Sequence, residues 1–286
     1  MLNLNLTNVE TSDIKFEVSK FPDGQQTLNL KSSRYEVNNE DIVIKSRLNS
    51  FKDLEIIICA NQALKNAGAD SVSLYVPYFL GSRSDRKFQE GGVNYLKQVI
   101  CPIINSQNFK RVVTMDPHSD VLEACLNNYD KKNNFELVKF ALTKIDNKQD
   151  AQERTALISP DAGALKKIYD VAKYFKITNV TTASKVRDMI TGNIIKTELP
   201  TMDLDGIEHI VIIDDICDGG RTFIELAKVI KEQTDKPIYL IVTHGIFSAG
   251  LKPLFEYFEG IYCTDSIDDI HKTSFAGEKV KQLNVF

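Results

Sequence analysis

The sequence predicts an α/β protein of two domains with similar plans, each built on a largely parallel sheet flanked by helices. Three observations lead to this class. Short apolar runs typical of buried strands alternate with longer stretches of helical periodicity along the chain. Several predicted strands end in a turn that carries an acid or a histidine. The length of 286 residues is also enough for two ordinary domains.

The elements of the first half follow in chain order. Weak alternation near the N-terminus indicates short strands, and Pro22 and Gly24 mark a turn between two of them. Residues 51–68 predict a helix because apolar residues recur at helical spacing and Gly68 follows the last turn. The other predictions are strands at residues 41–46, 71–76 and 111–115, and helices at residues 93–105 and 120–127.

The segment NNYDKKNN at residues 127–134 is polar and rich in turn-forming residues, so it predicts the domain boundary. The domains would be residues 1–134 and 135–286, with the last residues of the chain packing back on the first domain. The second half is predicted to contain strands at residues 155–159, 179–182, 208–213, 237–242 and 260–263, and helices at residues 135–146, 164–175, 222–234 and 249–258.

The composition argues against several classes of protein. A hydrophobic fraction of 43% with 26% charged residues is that of a globular protein, and a net charge of −4 does not favour a nucleic-acid partner. No apolar run approaches the length of a membrane span, and the N-terminus lacks the pattern of a signal peptide. The five cysteines are scattered without CxxC spacing, which predicts reduced thiols in a cytoplasmic enzyme.

The stretch VIIDDICDGGRTF at residues 211–223 carries the strongest chemical signal. A buried strand ends in Asp214 and Asp215, a glycine-containing loop of residues 218–222 follows, and a helix comes next. The backbone N–H groups of such a loop and the start of the helix dipole favour an anion. Adjacent carboxylates suit ribose hydroxyls or a Mg²⁺ ion that accompanies phosphates. This stretch therefore predicts a phosphate-binding site.

A second candidate is the loop at residues 78–92, where Arg83 and Lys87 flank Asp85 and periodicity is weak. The loop follows a predicted strand, and open α/β sheets bind their ligands at the carboxyl ends of strands. The segment is therefore either an anion-binding loop or a loop that is merely solvated.

Three further positions carry chemistry in the same kind of place. His118 and Asp161 each follow a predicted strand, where either could bind Mg²⁺ or orient a phosphate, although a single histidine is equally often structural. Lys185 and Arg187 stand two residues apart in a segment predicted as a strand or an extended loop. Residues at this spacing point to one side, so both cations could reach one phosphate group, or both could be surface charges.

Together these motifs resemble the ribose-phosphate diphosphokinase family, also called phosphoribosyl pyrophosphate (PRPP) synthetase. The resemblance covers nearly the whole chain, and its pieces occur in the family's order. The glycine loop alone would indicate only the wider phosphoribosyltransferase fold, whereas the Ser-Pro-Asp-Ala-Gly and Asp-Pro-His elements are more specific. The matching segments are residues 21–25, 76–79, 83–87, 114–119, 159–163, 185–187 and 214–222.

The resemblance implies two tandem phosphoribosyltransferase-like domains and a Mg²⁺-dependent reaction. The β,γ-diphosphate of ATP would pass to the C1 hydroxyl of ribose 5-phosphate, giving PRPP for nucleotide biosynthesis and leaving AMP. It also implies a homo-oligomer, either a dimer or a hexamer, in which a neighbouring subunit completes the ATP site.

The resemblance also implies roles for individual residues. ATP would be bound by Phe21, Asp23, Gln25, Arg83, Ser84, Asp85, Lys87 and His118. The ribose and its 5-phosphate would be bound by Asp214, Asp215, Asp218, Gly219, Gly220, Arg221 and Thr222. Mg²⁺ would lie at His118 and Asp161, and Lys185 and Arg187 would be catalytic residues on a mobile loop that closes over the transferring group.

The chain departs from the family pattern at Gln25 and Ser84 in the ATP site and at Arg221 in the phosphate loop. Arg221 either points outward or serves an acceptor with a second phosphate, such as ADP-ribose, which would yield ADP-ribose pyrophosphate and link the enzyme to NAD metabolism. Two other classes stay open from the sequence. One is a phosphoribosyltransferase that consumes PRPP, and the other is a non-catalytic regulator of the same fold.

Overall fold

The structure is a computed structural model, which describes residues 1–32, 34–187, 194–270 and 279–286. The chain forms two compact units, one of Met1–Asn133 with Val285–Phe286 and the other of Asn134–Asn284. Each unit contains a parallel sheet with helices, which confirms the predicted fold class. In the part of the chain that the structure describes, no helix is long and apolar enough to span a membrane.

The first unit is a five-stranded parallel sheet with a separate two-stranded antiparallel hairpin. Its strands are β1 (Leu2–Asn5), β2 (Phe16–Lys20), β3 (Gln26–Leu30), β4 (Asp41–Lys45), β5 (Ser71–Tyr75), β6 (Val112–Met115) and β7 (Tyr129–Lys132). Its helices are α1 (Arg34–Val37), α2 (Phe51–Asn66), α3 (Cys101–Ser106) and α4 (Val121–Cys125). The sheet order is β1-β4-β5-β6-β7, and β2 pairs with β3 in the hairpin.

Helix α2 shows how local sequence sets an element of this unit. The Ser50 hydroxyl accepts the Asp53 N–H and the Asp53 carboxylate accepts the Ser50 N–H, so a capping box fixes the first turn. Leu54 and Ile57 are buried on the apolar face of the helix, in the same core as the sheet. The helix stops before Gly68, which takes a φ of 88°.

Strand β7 lies within residues 127–134, the segment that the sequence indicates is polar and rich in turn-forming residues. Tyr129 to Lys132 pair in parallel with β6 at the edge of the sheet. Lys131 and Lys132 are exposed at this edge position, so the sequence resembles that of a polar loop. The helix predicted at residues 93–105 begins later and in π-helical geometry, at Leu96–Ile100, before it continues as α3.

The second unit contains a six-stranded parallel sheet. Its strands are β8 (Thr155–Ser159), β9 (Asn179–Thr182), β10 (Ser184–Arg187), β11 (Ile194–Glu198), β12 (His209–Cys217), β13 (Ile238–Gly245), β14 (Gly260–Thr264) and β15 (Val280–Leu283). Its helices are α5 (Phe135–Ile145), α6 (Leu165–Phe175), α7 (Arg221–Lys231) and α8 (Lys252–Phe255). The sheet order is β15-β14-β13-β12-β8-β9, and β10 pairs with β11 in an antiparallel hairpin.

Strand β12 lies inside this sheet and is covered on both faces. Ile210 and Ile212 pack in the core that contains α7, whereas Val211 and Ile213 pack in the core that contains α5 and α6. This arrangement follows from the alternation of side chains along a strand. Because the strands are parallel, the carboxyl ends of β8, β12 and β13 lie along one edge of the sheet, which we call the carboxyl edge.

Two elements of the second unit differ from the prediction. The helix predicted over residues 249–258 is only the single turn of α8, because a turn that ends at Gly250 (φ of 77°) precedes it. Strand β15, which the sequence did not predict, pairs with β14 at the edge of the sheet.

Candidate active site

The glycine loop has the geometry of an anion site. Gly220 adopts a φ of 77° and caps α7, which begins at Arg221. A side chain at position 220 would meet Leu254, because a Cβ built there lies 2.9 Å from Leu254 Cδ2. Among the described residues, no hydrogen bond uses the backbone N–H groups of residues 219–222. These donors at a helix N-terminus can therefore turn to a phosphate.

Two adjacent acids stand just before this loop, near the carboxyl end of β12. Asp215 is only 6% exposed, and its Oδ2 lies 3.1 Å from the Lys167 Nζ on α6. The Asp215 N–H donates to Asp214 Oδ1 over 2.9 Å. Burial, and then the charges of Asp215 and Asp161, raise the pKa of Asp214 well above its usual value. Asp215 is thus a carboxylate paired with a cation, whereas Asp214 is a carboxyl group that is costly to ionise.

Asp161 adds a third carboxylate at the carboxyl edge. Its Oδ1 accepts the N–H groups of Gly163 (2.9 Å) and Ala164 (3.2 Å), which turns the chain into α6. The charge of Asp161 contributes to the raised pKa of Asp214. Oxygen donors with surplus negative charge suit a hard divalent cation, so this donor set fits the metal that the sequence predicted.

Lys167 is a residue that the sequence analysis did not single out. It lies in the first turn of α6, and its ion pair with Asp215 joins residues 48 positions apart. The sequence pattern of a surface helix gives no sign of this partner. A search for a cation one or two turns after an acidic strand end could have proposed it.

In the first unit, the predicted adenine-binding residues lie on the hairpin turn between β2 and β3. The Phe21 N–H donates to the Gln25 carbonyl over 2.8 Å, and Asp23 Oδ1 accepts the Gln25 N–H over 3.1 Å. This tight turn leaves the Phe21 ring 52% exposed. The ring is thus available for stacking on a planar base.

The predicted phosphate-binding loop follows β5. Arg83 and Lys87 are exposed, while Ser84 and Asp85 are half-buried. The Ser84 carbonyl accepts the Leu96 N–H (3.1 Å), and the Asp85 carbonyl accepts the Asn94 side chain (2.6 Å). These bonds tie the loop backbone to the start of the next helical segment and leave the cations at the surface.

His118 lies after β6, the neighbour of β5 in the sheet, and is exposed. Asp116, two residues earlier, has a positive φ of 43° and its N–H donates to the Lys132 carbonyl over 2.8 Å. The structure thus brings His118 and the loop of Arg83 to neighbouring strand ends of the first unit. Asp161 belongs to the second unit.

Lys185 and Arg187 lie on β10, where Lys185 pairs with Thr197 and Arg187 with Ile194. Their side chains are outside the described part of the structure, as are residues 188–193. Arg221 is exposed and is the first residue of α7, so the helix begins one residue earlier than predicted.

A cavity of about 550 Å³ in the second unit does not coincide with these residues. It lies at the start of β12, at the opposite end of that strand, and Asp146, Glu208 and His209 line it. Asp146 Oδ2 accepts Arg154 Nη2 (2.7 Å) and Nε (3.1 Å). The Lys148 N–H and then Arg154 lower the pKa of Asp146. Because the guanidinium already neutralises the carboxylate, we interpret this cluster as structural.

The family follows from sequence comparison. Residues 126–274, more than half of the chain, match the family described as phosphoribosyl transferase domain. The chain therefore belongs to the phosphoribosyl transferase domain family.

The chain is also similar over most of its length to particular proteins. It is 26% identical over 239 residues to a ribose-phosphate pyrophosphokinase of Pasteurella multocida, covering 82% of this chain and 72% of that protein. It is 28% identical over 280 residues to the enzyme of that name from Mycoplasmopsis pulmonis, covering 93% and 79%. These relatives confirm the family resemblance predicted from the motifs.

A solved structure shows the same fold. The phosphoribosylpyrophosphate synthetase of Mycobacterium smegmatis superposes with a TM-score of 0.78 at 16% identity, over 97% of this chain and 88% of that one. At this identity the likeness concerns the fold, which extends over both units.

Proposed function

We propose that this protein is a ribose-phosphate pyrophosphokinase, which transfers the β,γ-diphosphate of ATP to the C1 hydroxyl of ribose 5-phosphate. The products are PRPP and AMP. The observation that carries the proposal is the similarity to ribose-phosphate pyrophosphokinases over 82% and 93% of the chain. The relatives' names give no support to an ADP-ribose acceptor, to a PRPP-consuming phosphoribosyltransferase or to an inactive regulator.

The second unit would bind the acceptor. The N–H groups of residues 219–222, which bond to none of the described residues, would donate to the 5-phosphate from Gly219, Gly220, Arg221 and Thr222, with Asp218 at the start of their loop. Asp214 and Asp215 would accept hydrogen bonds from the ribose hydroxyls. Fixing the ribose at both ends orients its C1 hydroxyl for attack on the β-phosphorus of ATP.

The first unit would bind ATP. The exposed ring of Phe21 would stack on adenine, with Asp23 and Gln25 holding its turn. Arg83 and Lys87 would neutralise the phosphates, and Ser84, Asp85 and His118 complete the proposed set. A cationic loop suits this role because a triphosphate carries several negative charges at neutral pH.

Mg²⁺ is the cation we propose, held by Asp161 and His118. When bound, it would neutralise phosphate charge and help align the transferred group. Asp161 lies at the carboxyl edge with Asp214 and Asp215, and its charge contributes, after burial and the charge of Asp215, to the raised pKa of Asp214. This set of carboxylates supports a cation near Asp161.

Lys185 and Arg187 are the proposed catalytic residues. Phosphoryl-type transfer needs positioning and charge neutralisation rather than covalent help from the protein. As the bond between the α-phosphate oxygen and the β-phosphorus breaks, negative charge moves to AMP, and two cations on β10 would stabilise it. Removing one such contact costs on the order of a hundred-fold to a thousand-fold in kcat. Closure of their loop would also exclude water.

Two finer features belong to the same proposal. We expect a homo-oligomer, a dimer or a hexamer, because the resemblance implies a neighbour at the ATP site, and the exposed Phe21 turn is suited to such a contact. We also expect a cytoplasmic enzyme, because all five cysteines are free thiols, as a reducing compartment would keep them.

The test is an assay with ATP, Mg²⁺ and ribose 5-phosphate, with products resolved by mass. We expect PRPP and AMP, and better use of ribose 5-phosphate than of ADP-ribose. Lys185→Ala and Arg187→Ala should each reduce turnover about a hundred-fold or more while ATP still binds. Absence of AMP from wild-type protein would overturn the function, and wild-type turnover in both variants would overturn the mechanism.

A further inference from the structure

The turn after β13, residues 245–250, is tied to the phosphate loop by side-chain and backbone bonds. The Cys217 carbonyl, at the end of β12, accepts the N–H groups of Ile246 (2.8 Å) and Phe247 (3.1 Å). The Ser248 hydroxyl donates to Asp218 Oδ1. No sequence motif predicts a role for this turn. The bonds of the turn join residues about 30 positions apart.

The turn is held in an uncommon conformation. Phe247 has a positive φ of 47°, which is rare for an aromatic residue. Its ring occupies the space beside Gly245, where a Cβ would lie 2.1 Å from Phe247 Cε2. Non-glycine residues in this backbone region persist where the surroundings impose them, and they concentrate at functional sites.

A buried polar network joins the end of β13, just before the turn, to the end of β14. His244 Nδ1 lies 2.8 Å from the Ser266 hydroxyl, and the Thr264 hydroxyl donates to the Thr243 carbonyl over 2.6 Å. All four residues are at most 2% exposed. These bonds hold the end of the strand from which the turn leaves, and Ser248 itself is exposed.

The Asp218 carboxylate has a chemical alternative to this bond. An aspartate readily folds back on the N–H groups two and three residues later, here those of Gly220 and Arg221. These are donors of the proposed 5-phosphate site. A carboxylate that captured them would block the phosphate and repel its negative charge.

We propose that Ser248 is a positioning residue for the acceptor: its hydroxyl holds the Asp218 carboxylate against the turn after β13 and so keeps the loop's N–H groups open to a phosphate monoester. The inference rests on the proposed function, because the monoester in question is the 5-phosphate of ribose 5-phosphate. It predicts an effect on acceptor binding and none on ATP.

The first test is Ser248→Ala in the full-length protein. We expect the KM for ribose 5-phosphate to rise about ten-fold, because a hydrogen bond to a charged group is lost. The kcat and the KM for ATP should stay within about two-fold, because Ser248 acts through Asp218 alone. Ser248→Thr keeps the hydroxyl and should restore the wild-type KM. Thr201→Ala, at another exposed hydroxyl residue of the second unit, is the matched control and should change nothing.

A double-mutant cycle tests the route of the effect. If Ser248 acts through Asp218, Ser248→Ala should change the KM by less than about two-fold when Asp218→Ala is already present. An equal effect in both backgrounds would overturn the proposal. So would a fall in kcat without a change in KM, or a lower melting temperature for Ser248→Ala that accounts for the loss.

Calorimetric binding of ribose 5-phosphate separates this inference from the proposed function. If wild-type protein makes no PRPP but binds ribose 5-phosphate, and Ser248→Ala weakens that binding about ten-fold, the inference stands and the function fails. If PRPP forms and Ser248→Ala binds ribose 5-phosphate as wild type does, the function stands and the inference fails.

Discussion

An aspartate lies near each end of strand β12, and the pKa values of the two aspartates are shifted in opposite directions. At the amino end, Asp146 meets Arg154 and the Lys148 N–H, and its pKa is lowered. At the carboxyl end, burial and neighbouring acids raise the pKa of Asp214. The amino end is therefore satisfied by the protein itself, whereas the carboxyl end has negative charge to share with a ligand. Charge compensation distinguishes the two clusters better than cavity size does.

The largest difference expected between the two ends of β12 is in kcat/KM, measured for Asp214→Asn and for Asp146→Asn. The amide at position 214 weakens a charged contact to the ribose, so kcat/KM should fall about a hundred-fold. Asp146→Asn should leave kcat/KM within about two-fold, because its carboxylate faces only protein groups. Comparable losses in the two variants would mean that both clusters serve catalysis.

The same pair should show opposite effects on stability. Asp146 has a lowered folded-state pKa, so its stabilisation exists above about pH 4, the usual aspartate value, and disappears as pH falls through the folded-state pKa. Asp146→Asn should therefore lower the free energy of unfolding at pH 7 by roughly 1 kcal/mol, and this loss should shrink as pH falls below about 4.

Asp214 has a raised folded-state pKa, so its ionisation is destabilising once pH rises above the usual aspartate value. Asp214→Asn should be more stable than wild type at pH 7 and equal to it near pH 3. Urea titrations at both pH values measure all of these differences. A destabilised Asp214→Asn at pH 7 would contradict the assignment of surplus charge to the carboxyl edge.

Lys167→Met tests how much the cation at the carboxyl edge contributes to stability. It removes the cation from the buried Asp215 while keeping much of the aliphatic stem. We expect a loss of roughly 1–3 kcal/mol in the free energy of unfolding at pH 7, because the buried carboxylate of Asp215 loses this charged contact. Lys166→Met, at the neighbouring residue of α6, is the matched control. An unchanged urea midpoint in Lys167→Met would show that Asp215 does not depend on this cation.

The smallest expected effect is the response to Mg²⁺ without substrates. A cation that binds the carboxyl edge should raise the melting temperature of wild type by a few degrees at millimolar Mg²⁺. The increase should disappear in Asp161→Asn and persist in Asp146→Asn. An increase that depends on Asp146 instead would move the metal site to the cavity at the other end of β12.

The sequence was sufficient where one element carries its own pattern. The bounds of β8, residues 155–159, were predicted correctly because a short apolar run is bounded by a charged residue and a proline. The glycine loop was recognisable because its strand, loop and helix are contiguous. The edge strand β7 was missed because three of its four residues are charged and none is fully buried.

The residues that position the site could not be predicted from the sequence, for a different reason. The ion pair of Lys167 with Asp215 spans 48 positions, and the bond of Ser248 to Asp218 spans 30. Neither leaves a local pattern, because each depends on how strands are ordered in the sheet. The roles predicted for Lys185 and Arg187 remain predictions, since they depend on side chains outside the described residues.

The cavity at the amino end of β12 has a practical meaning for engineering. Its volume of about 550 Å³ is lined by residues with no proposed part in catalysis. Natural active sites often trade stability for function, and stabilising substitutions elsewhere can offset that cost. Filling this cavity with larger side chains at Thr143 or Asn147 would reinforce the strand that carries Asp214 and Asp215 from its far end. Directed evolution toward a new acceptor could then introduce destabilising substitutions in the glycine loop without unfolding the enzyme.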